Sequence, residues 1–179
     1  MKVYFYITTG LLFFCFLNGG CNKEDLLDSG TCKIKVEGYL NKSFDGEAVF
    51  DDVPGLGGTY FFLVLQNIEK PGEKYKFAQL MSKMKPNAGS YSLNPNDTTQ
   101  NNIYATYEDS DVEGSFHPVN GMLEINLSNN REIKGRCDFT AETYISLGNG
   151  NFQKVQIKVT GEFYAQEGNV GIILGKKNL

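Results

Sequence analysis

The sequence predicts an all-β protein: a single antiparallel β-sandwich or flattened barrel of about eight or nine strands, behind an N-terminal signal peptide. Three observations predict it. From Thr31 onward apolar and polar residues alternate with period two through several stretches, as they do in half-buried strands. Each stretch is bounded by turn residues, and the chain is rich in Gly (20), Phe (13) and Tyr (10) with no Trp. No helical segment of 10–15 residues separates the strands, which removes the parallel α/β class.

The elements follow in order. Cys32–Leu40 alternates apolar residues and glycine with Lys33, Lys35, Glu37 and Tyr39, and Asn41-Lys42 makes a turn. Phe44–Phe50 alternates again, and Asp51–Gly58 is a loop by composition. Thr59–Leu65 is a continuous β-branched and aromatic run, the pattern of a strand covered on both faces. Pro71-Gly72 signals a turn. Phe77, Leu80, Met81 and Met84 also fit helical spacing, but a strand through Phe77–Met81 and a loop through Pro86–Gly89 is preferred. Short strands are expected at Ser90–Leu93 and Asn102–Tyr107, then a polar loop over Glu108–Asn120. Strands follow at Gly121–Leu127, Glu132–Thr143 and Lys154–Tyr164, with the clearest hairpin turn at Gly148-Asn149-Gly150-Asn151. Val170–Leu174 is positioned to close the sheet. The organisation is a signal over 1–20, an acidic tether over 21–30 and one β domain over 31–175.

The formal net charge is −4 and the pI about 5.1, so the basic surplus that phosphate recognition needs is missing and nucleic acid is not an expected partner. At 41% apolar residues the chain can build a core.

Lys2 precedes Val3–Leu17, a mostly apolar run without charge, and Asn18-Gly19-Gly20-Cys21 follows. That is the layout of a secretory signal. The run is shorter than the roughly 20 residues a bilayer-spanning helix needs, and Thr8, Thr9 and Gly10 interrupt it. Small residues before Cys21 resemble the lipobox of bacterial lipoproteins, although Asn18 stands where Leu is usual. The resemblance implies that Cys21 carries the lipid and becomes the mature N-terminus. Lys23-Glu24-Asp25 just behind it resembles the surface-export signal of Bacteroidetes lipoproteins. The expected location is therefore the outer membrane, lipid-anchored and surface-exposed, with a periplasm-facing anchor as the alternative. Removing 1–20 leaves 16 basic against 21 acidic side chains, so anionic head groups repel the domain and only acyl chains hold it to the membrane.

Gly89-Ser90-Tyr91-Ser92-Leu93, Gly121-Met122-Leu123-Glu124-Ile125 and Ile133-Lys134-Gly135-Arg136-Cys137-Asp138-Phe139 resemble strands of small Bacteroidetes lipid-anchored proteins with an uncharacterised all-β domain, with Cys137 where Phe is usual. The resemblance implies an all-β extracytoplasmic domain and supplies no chemistry.

No catalytic set stands out. His117 is the only imidazole, in Ser115-Phe116-His117-Pro118, and no Gly-x-Ser-x-Gly elbow presents a nucleophile. One His and two scattered mature cysteines do not make a zinc site. Asp109-Ser110-Asp111 with Glu113 reads as a solvated acidic loop rather than a calcium loop. No cofactor or metal is expected, and an enzyme is not. Cys32 and Cys137, the cysteines left after cleavage and lipidation, are a candidate disulfide or two small core side chains. Asp97-Thr98-Thr99 resembles the Bacteroidetes O-glycosylation site, which points to Thr98. The expected function is a non-catalytic ligand- or protein-binding module with a glycan or envelope-protein partner. The alternative is a structural accessory subunit of an outer-membrane assembly, with a hydrolase a distant third. An internal pocket would favour ligand binding; a filled core with exposed apolar surface would favour assembly.

Overall fold

A computed structural model describes residues 27, 30–55, 57–68, 75–97 and 103–170. Nine strands run through them: β1 (Thr31–Gly38), β2 (Lys42–Gly55), β3 (Gly58–Ile68), β4 (Tyr75–Ser82), β5 (Gly89–Ser92), β6 (Tyr104–Asp109), β7 (Ser115–Ser128), β8 (Glu132–Gly148) and β9 (Asn151–Glu167). They form one sheet in the order β5-β7-β6-β4-β3-β2-β1-β9-β8, and a β7–β8 ladder returns it upon itself. The all-β antiparallel expectation is met, as a ring of pairings that satisfies both a sandwich and a flattened barrel.

The ring has two ends. At one, Gly30 (φ 85°) enters between β2 and β9: its N–H donates to the Tyr164 carbonyl at 2.6 Å and its carbonyl accepts from Ala48 N–H at 2.8 Å. Beyond Gly30, β2 and β9 pair directly and in parallel through Val49–Gln166 and Phe50–Glu167. At the other end lie the β1–β2, β6–β7 and β8–β9 connections. Asn149 (φ 53°) and Gly150 (φ 77°) form the two-residue turn that joins Gly148 to Asn151, the primed geometry that suits the twist of a hairpin.

Apolar side chains crowd the interior. Tyr107, Phe116, Phe139 and Phe163 are fully buried, together with Leu63, Leu65, Leu80 and Leu123. A second, smaller cluster forms outside the ring, where Val170 covers Val64 and Phe77 with Val49 and Phe62 beside them. This is why Thr59–Leu65 lacks alternation: Leu63 and Leu65 face the ring interior while Val64 faces the outer cluster.

Several boundaries differ from those the sequence suggested. Asp51–Gly58 is not a loop, because β2 and β3 pair as far as Gly55–Gly58 and Gly57 and Gly58 (φ 100° and 138°) absorb the reversal. Lys42 opens β2 instead of sitting in a turn. The expected loop over Glu108–Asn120 shrinks to Ser110–Gly114, since β7 begins at Ser115 and a register shift between Pro118 and Asn120 accommodates the missing proline N–H. Phe77–Met81 is a strand. The proposed closing strand over Val170–Leu174 lies outside the described residues except for Val170, as do Cys21, Lys23, Glu24, Asp25 and Thr98.

Candidate functional site

Two surface features and one internal cluster concentrate the chemistry. The largest is a shallow cleft of about 1180 Å³ on the outer face of β7, β8, β9, β1 and β2. Strand register sets its floor. Glu124 lies opposite Arg136, Arg136 opposite Glu162, Glu162 opposite Lys33, and Lys33 opposite Asp45. Five adjacent strands thus present one row of alternating charge. Cross-strand opposite pairs are the favourable arrangement on a sheet face. Arg136 grips Glu124 with two bonds, Nε to Oε2 at 2.7 Å and Nη2 to Oε1 at 3.0 Å. That hydrogen bonding holds the Glu124 carboxyl below the usual carboxylate range and raises Arg136. The row beside it carries Met122, Asp138, Thr160, Lys35 and Ser43, with Lys35 paired to Glu37 at 2.7 Å and Asp138 to Lys158 at 3.2 Å. Charges of both signs neutralise one another, so the cleft suits a polar, mixed-charge surface rather than a polyanion or a polycation.

The second feature is a small pocket of about 160 Å³ where β6 and β7 part. Those strands share two residue pairs, Tyr107–Phe116 and Glu108–Ser115, and then separate. Leu93, Ile103, Ala105 and Pro118 floor the wedge and Tyr104 and His117 stand at its rim. His117 is thus an exposed strand residue beside an apolar pocket, not a loop residue.

The internal cluster closes the ring end farther from Gly30. Lys42 on β2 and Asp109 on β6 both point inward, and Lys42 Nζ lies 2.9 and 2.8 Å from the two Asp109 oxygens and 2.6 Å from Asp111 Oδ2. Asp109 also accepts the Asp111 N–H at 2.9 Å and the Tyr107 hydroxyl at 3.3 Å. Burial opposes the Lys42 ammonium, but the hydrogen bonds to Asp109 and Asp111 outweigh it and its pKa stands above the ordinary lysine value. Burial and the Asp109 charge push the Tyr107 phenol up. The acidic loop expected at Asp109–Glu113 is therefore corrected at its first member: Asp109 is 1% exposed, and a lysine ammonium neutralises it. Among the described residues no group of three or more His, Cys, Asp or Glu converges as a metal site.

At the Gly30 end, Lys85 seals the ring. Its Nζ lies 4.1 Å from the Phe50 ring centroid and donates to the Asn129 carbonyl. Burial lowers its pKa, against the pull of Asp52 and Glu167.

Of the two readings of Cys32 and Cys137, the structure has them as small core side chains. Both are free, buried thiols. Cys32 sits opposite Phe163 and Cys137 opposite Gly161, so the whole of β9 runs between their strands. Two strand spacings of about 4.8 Å exceed the roughly 7 Å Cα separation a disulfide tolerates. Cys32 instead donates its S–H to the Glu47 carbonyl at 3.3 Å, and burial pushes both thiols up to about 12. Of the tyrosines spread over the strands, Tyr107 is core while Tyr39, Tyr104 and Tyr144 are exposed.

The charged row and the Lys42–Asp109 pair escape a sequence reading because both depend on register across strands distant in the chain. Comparison with protein families, with curated proteins and with solved structures finds no match to this chain.

Proposed function

We propose that this is a non-catalytic, lipid-anchored module of the bacterial cell envelope, held in the outer membrane through Cys21 and displayed at the surface, that binds a partner through its outer face. The observation that carries the reading is the filled ring. Tyr107, Phe116, Phe139 and Phe163 fill the middle of the ring, and among the described residues the charged cleft and the β6–β7 wedge, both open to the surface, are the places offered for contact. The entry of the chain at Gly30 supports the same arrangement: a tether there leaves the β8–β9 tip at the opposite end of the ring. The partner class favoured is another protein, because the cleft carries paired charges and the tip carries apolar side chains, the mixture that protein surfaces meet.

The test is fractionation. Wild-type protein partitions into the detergent phase and Cys21→Ala moves to the soluble fraction. Retention of Cys21→Ala in the membrane would overturn the anchor and leave Val3–Leu17 as an uncleaved span. Replacing Lys23, Glu24 and Asp25 with Ala lowers protease accessibility on whole cells without changing lipidation; unchanged accessibility refutes surface export.

A further inference from the structure

We propose that the domain pairs with a second copy of itself, seating the apolar tip of each β8–β9 ribbon, with Phe152 at its centre, in the β6–β7 wedge of the other copy. This does not depend on the lipid anchor. Past Glu142 nothing among the described residues pairs with β8 on its β7 side, and past Ile157 β1 no longer pairs with β9. Tyr39 N–H still bonds the Gln156 carbonyl at 3.0 Å, and Val155 and Ile145 still pack on the core; beyond them the two strands pair with each other as a ribbon to Gly148 and Asn151. The ribbon carries Tyr144, Leu147 and Phe152, which are 63%, 61% and 67% exposed. Large apolar side chains gathered at one projecting tip mark a contact surface.

The wedge supplies a hole of matching size. It offers about 160 Å³, open to solvent on one side, a volume close to the roughly 150 Å³ that holds one benzene-sized ring. Its buried members Leu93, Ile103, Ala105 and Pro118 offer apolar contact, with Ser92 and Asn94 beside them in the lining. A phenyl side chain suits it, with the Tyr104 and His117 rings at the rim.

The two features also sit where a two-fold axis relates them. The bare β8 edge over Tyr144–Leu147 lies on the β7 side, where His117 pairs with Glu142 at the ribbon's base. Two ribbons laid antiparallel along that edge extend each other's sheet and carry each tip about 20 Å, to the other copy's base and wedge. The contact is isologous and closes at two copies. Reciprocal burial of two such tips is on the order of 1,000 Å², the lower edge of specific interfaces, so the pair is a weak one.

The test is heterotypic crosslinking of two differently tagged full-length chains co-expressed in the same cells. One carries Phe152→Cys and the other Pro95→Cys at the wedge rim; a control pairs Phe152→Cys with Asn126→Cys on another part of β7. All three side chains are exposed, so the fold tolerates the changes. The expected result is a mixed disulfide dimer at least tenfold more abundant for the 152–95 pair than for the 152–126 pair. Equal yields, no dimer, or capture of Phe152→Cys by a different protein in place of the second copy would each overturn the proposal.

Discussion

The Lys42 ammonium bridges both oxygens of the Asp109 carboxylate, at 2.9 and 2.8 Å, across the end of the ring where β2 and β6 face inward. The Asp109 side chain is fully buried, so its charge has no bulk water as an alternative partner, while Lys42 is one-fifth exposed. Truncating one member of such a pair leaves the other charge stranded. Lys42→Met is therefore expected to lower unfolding free energy by about 3–5 kcal/mol in denaturant titration. A loss below about 1 kcal/mol would mean that the pair is solvated in the folded protein.

The same pair sets an alkaline limit. The folded-state pKa of Lys42 is raised above that of the unfolded chain, so its contribution is complete below the ordinary lysine value of 10.5 and is lost as pH rises through the folded value. Stability measured between pH 9 and 12 should fall more steeply for the wild type than for Lys42→Met. Parallel curves would remove Lys42 from the alkaline transition.

Two glycines face the packed interior with different neighbours. A Cβ at Gly135 would stand 2.1 Å from the Glu124 carbonyl oxygen, which the ladder fixes, whereas at Gly161 it would stand 2.2 Å from Ile34 Cδ1, the end of a movable side chain. Gly161→Ala is expected to cost about 1–3 kcal/mol and Gly135→Ala more. Ile34→Val removes the obstructing methyl and should rescue Gly161→Ala but not Gly135→Ala. Rescue of both, or of neither, in thermal unfolding would contradict this packing.

Cys32 and Cys137 are expected to be slow to react in the native protein, because burial pushes both thiols up to about 12 and leaves little thiolate at neutral pH. Alkylation in denaturant without reductant should label both, read by mass spectrometry of the two peptides. A peptide pair joined through sulfur would contradict the separation that β9 imposes.

Much of the fold is legible in the chain because strand alternation is local. Cys32, Ile34 and Val36 alternate with Lys33, Lys35 and Glu37, and the structure buries the first set and exposes the second. The Gly148–Asn151 turn is equally local. What the chain conceals is set by pairing. Pro118 and the polar residues around it suggest a loop, yet β8 supplies a ladder that makes them a strand. Asp109 looks like one carboxylate in an acidic loop until β2 brings Lys42 to it from 67 residues away. Glu124, Arg136, Glu162, Lys33 and Asp45 become a row only when five strands stand side by side.

The measurement closest to the central claim is the mass of the protein's N-terminal peptide, isolated from membranes of cells making the full-length chain. A lipid-anchored envelope module requires a peptide that begins at Cys21 and carries the mass of a diacylglyceryl group on its sulfur. A peptide that retains residues 1–20, or one that contains Cys21 with an unmodified thiol, would contradict the account.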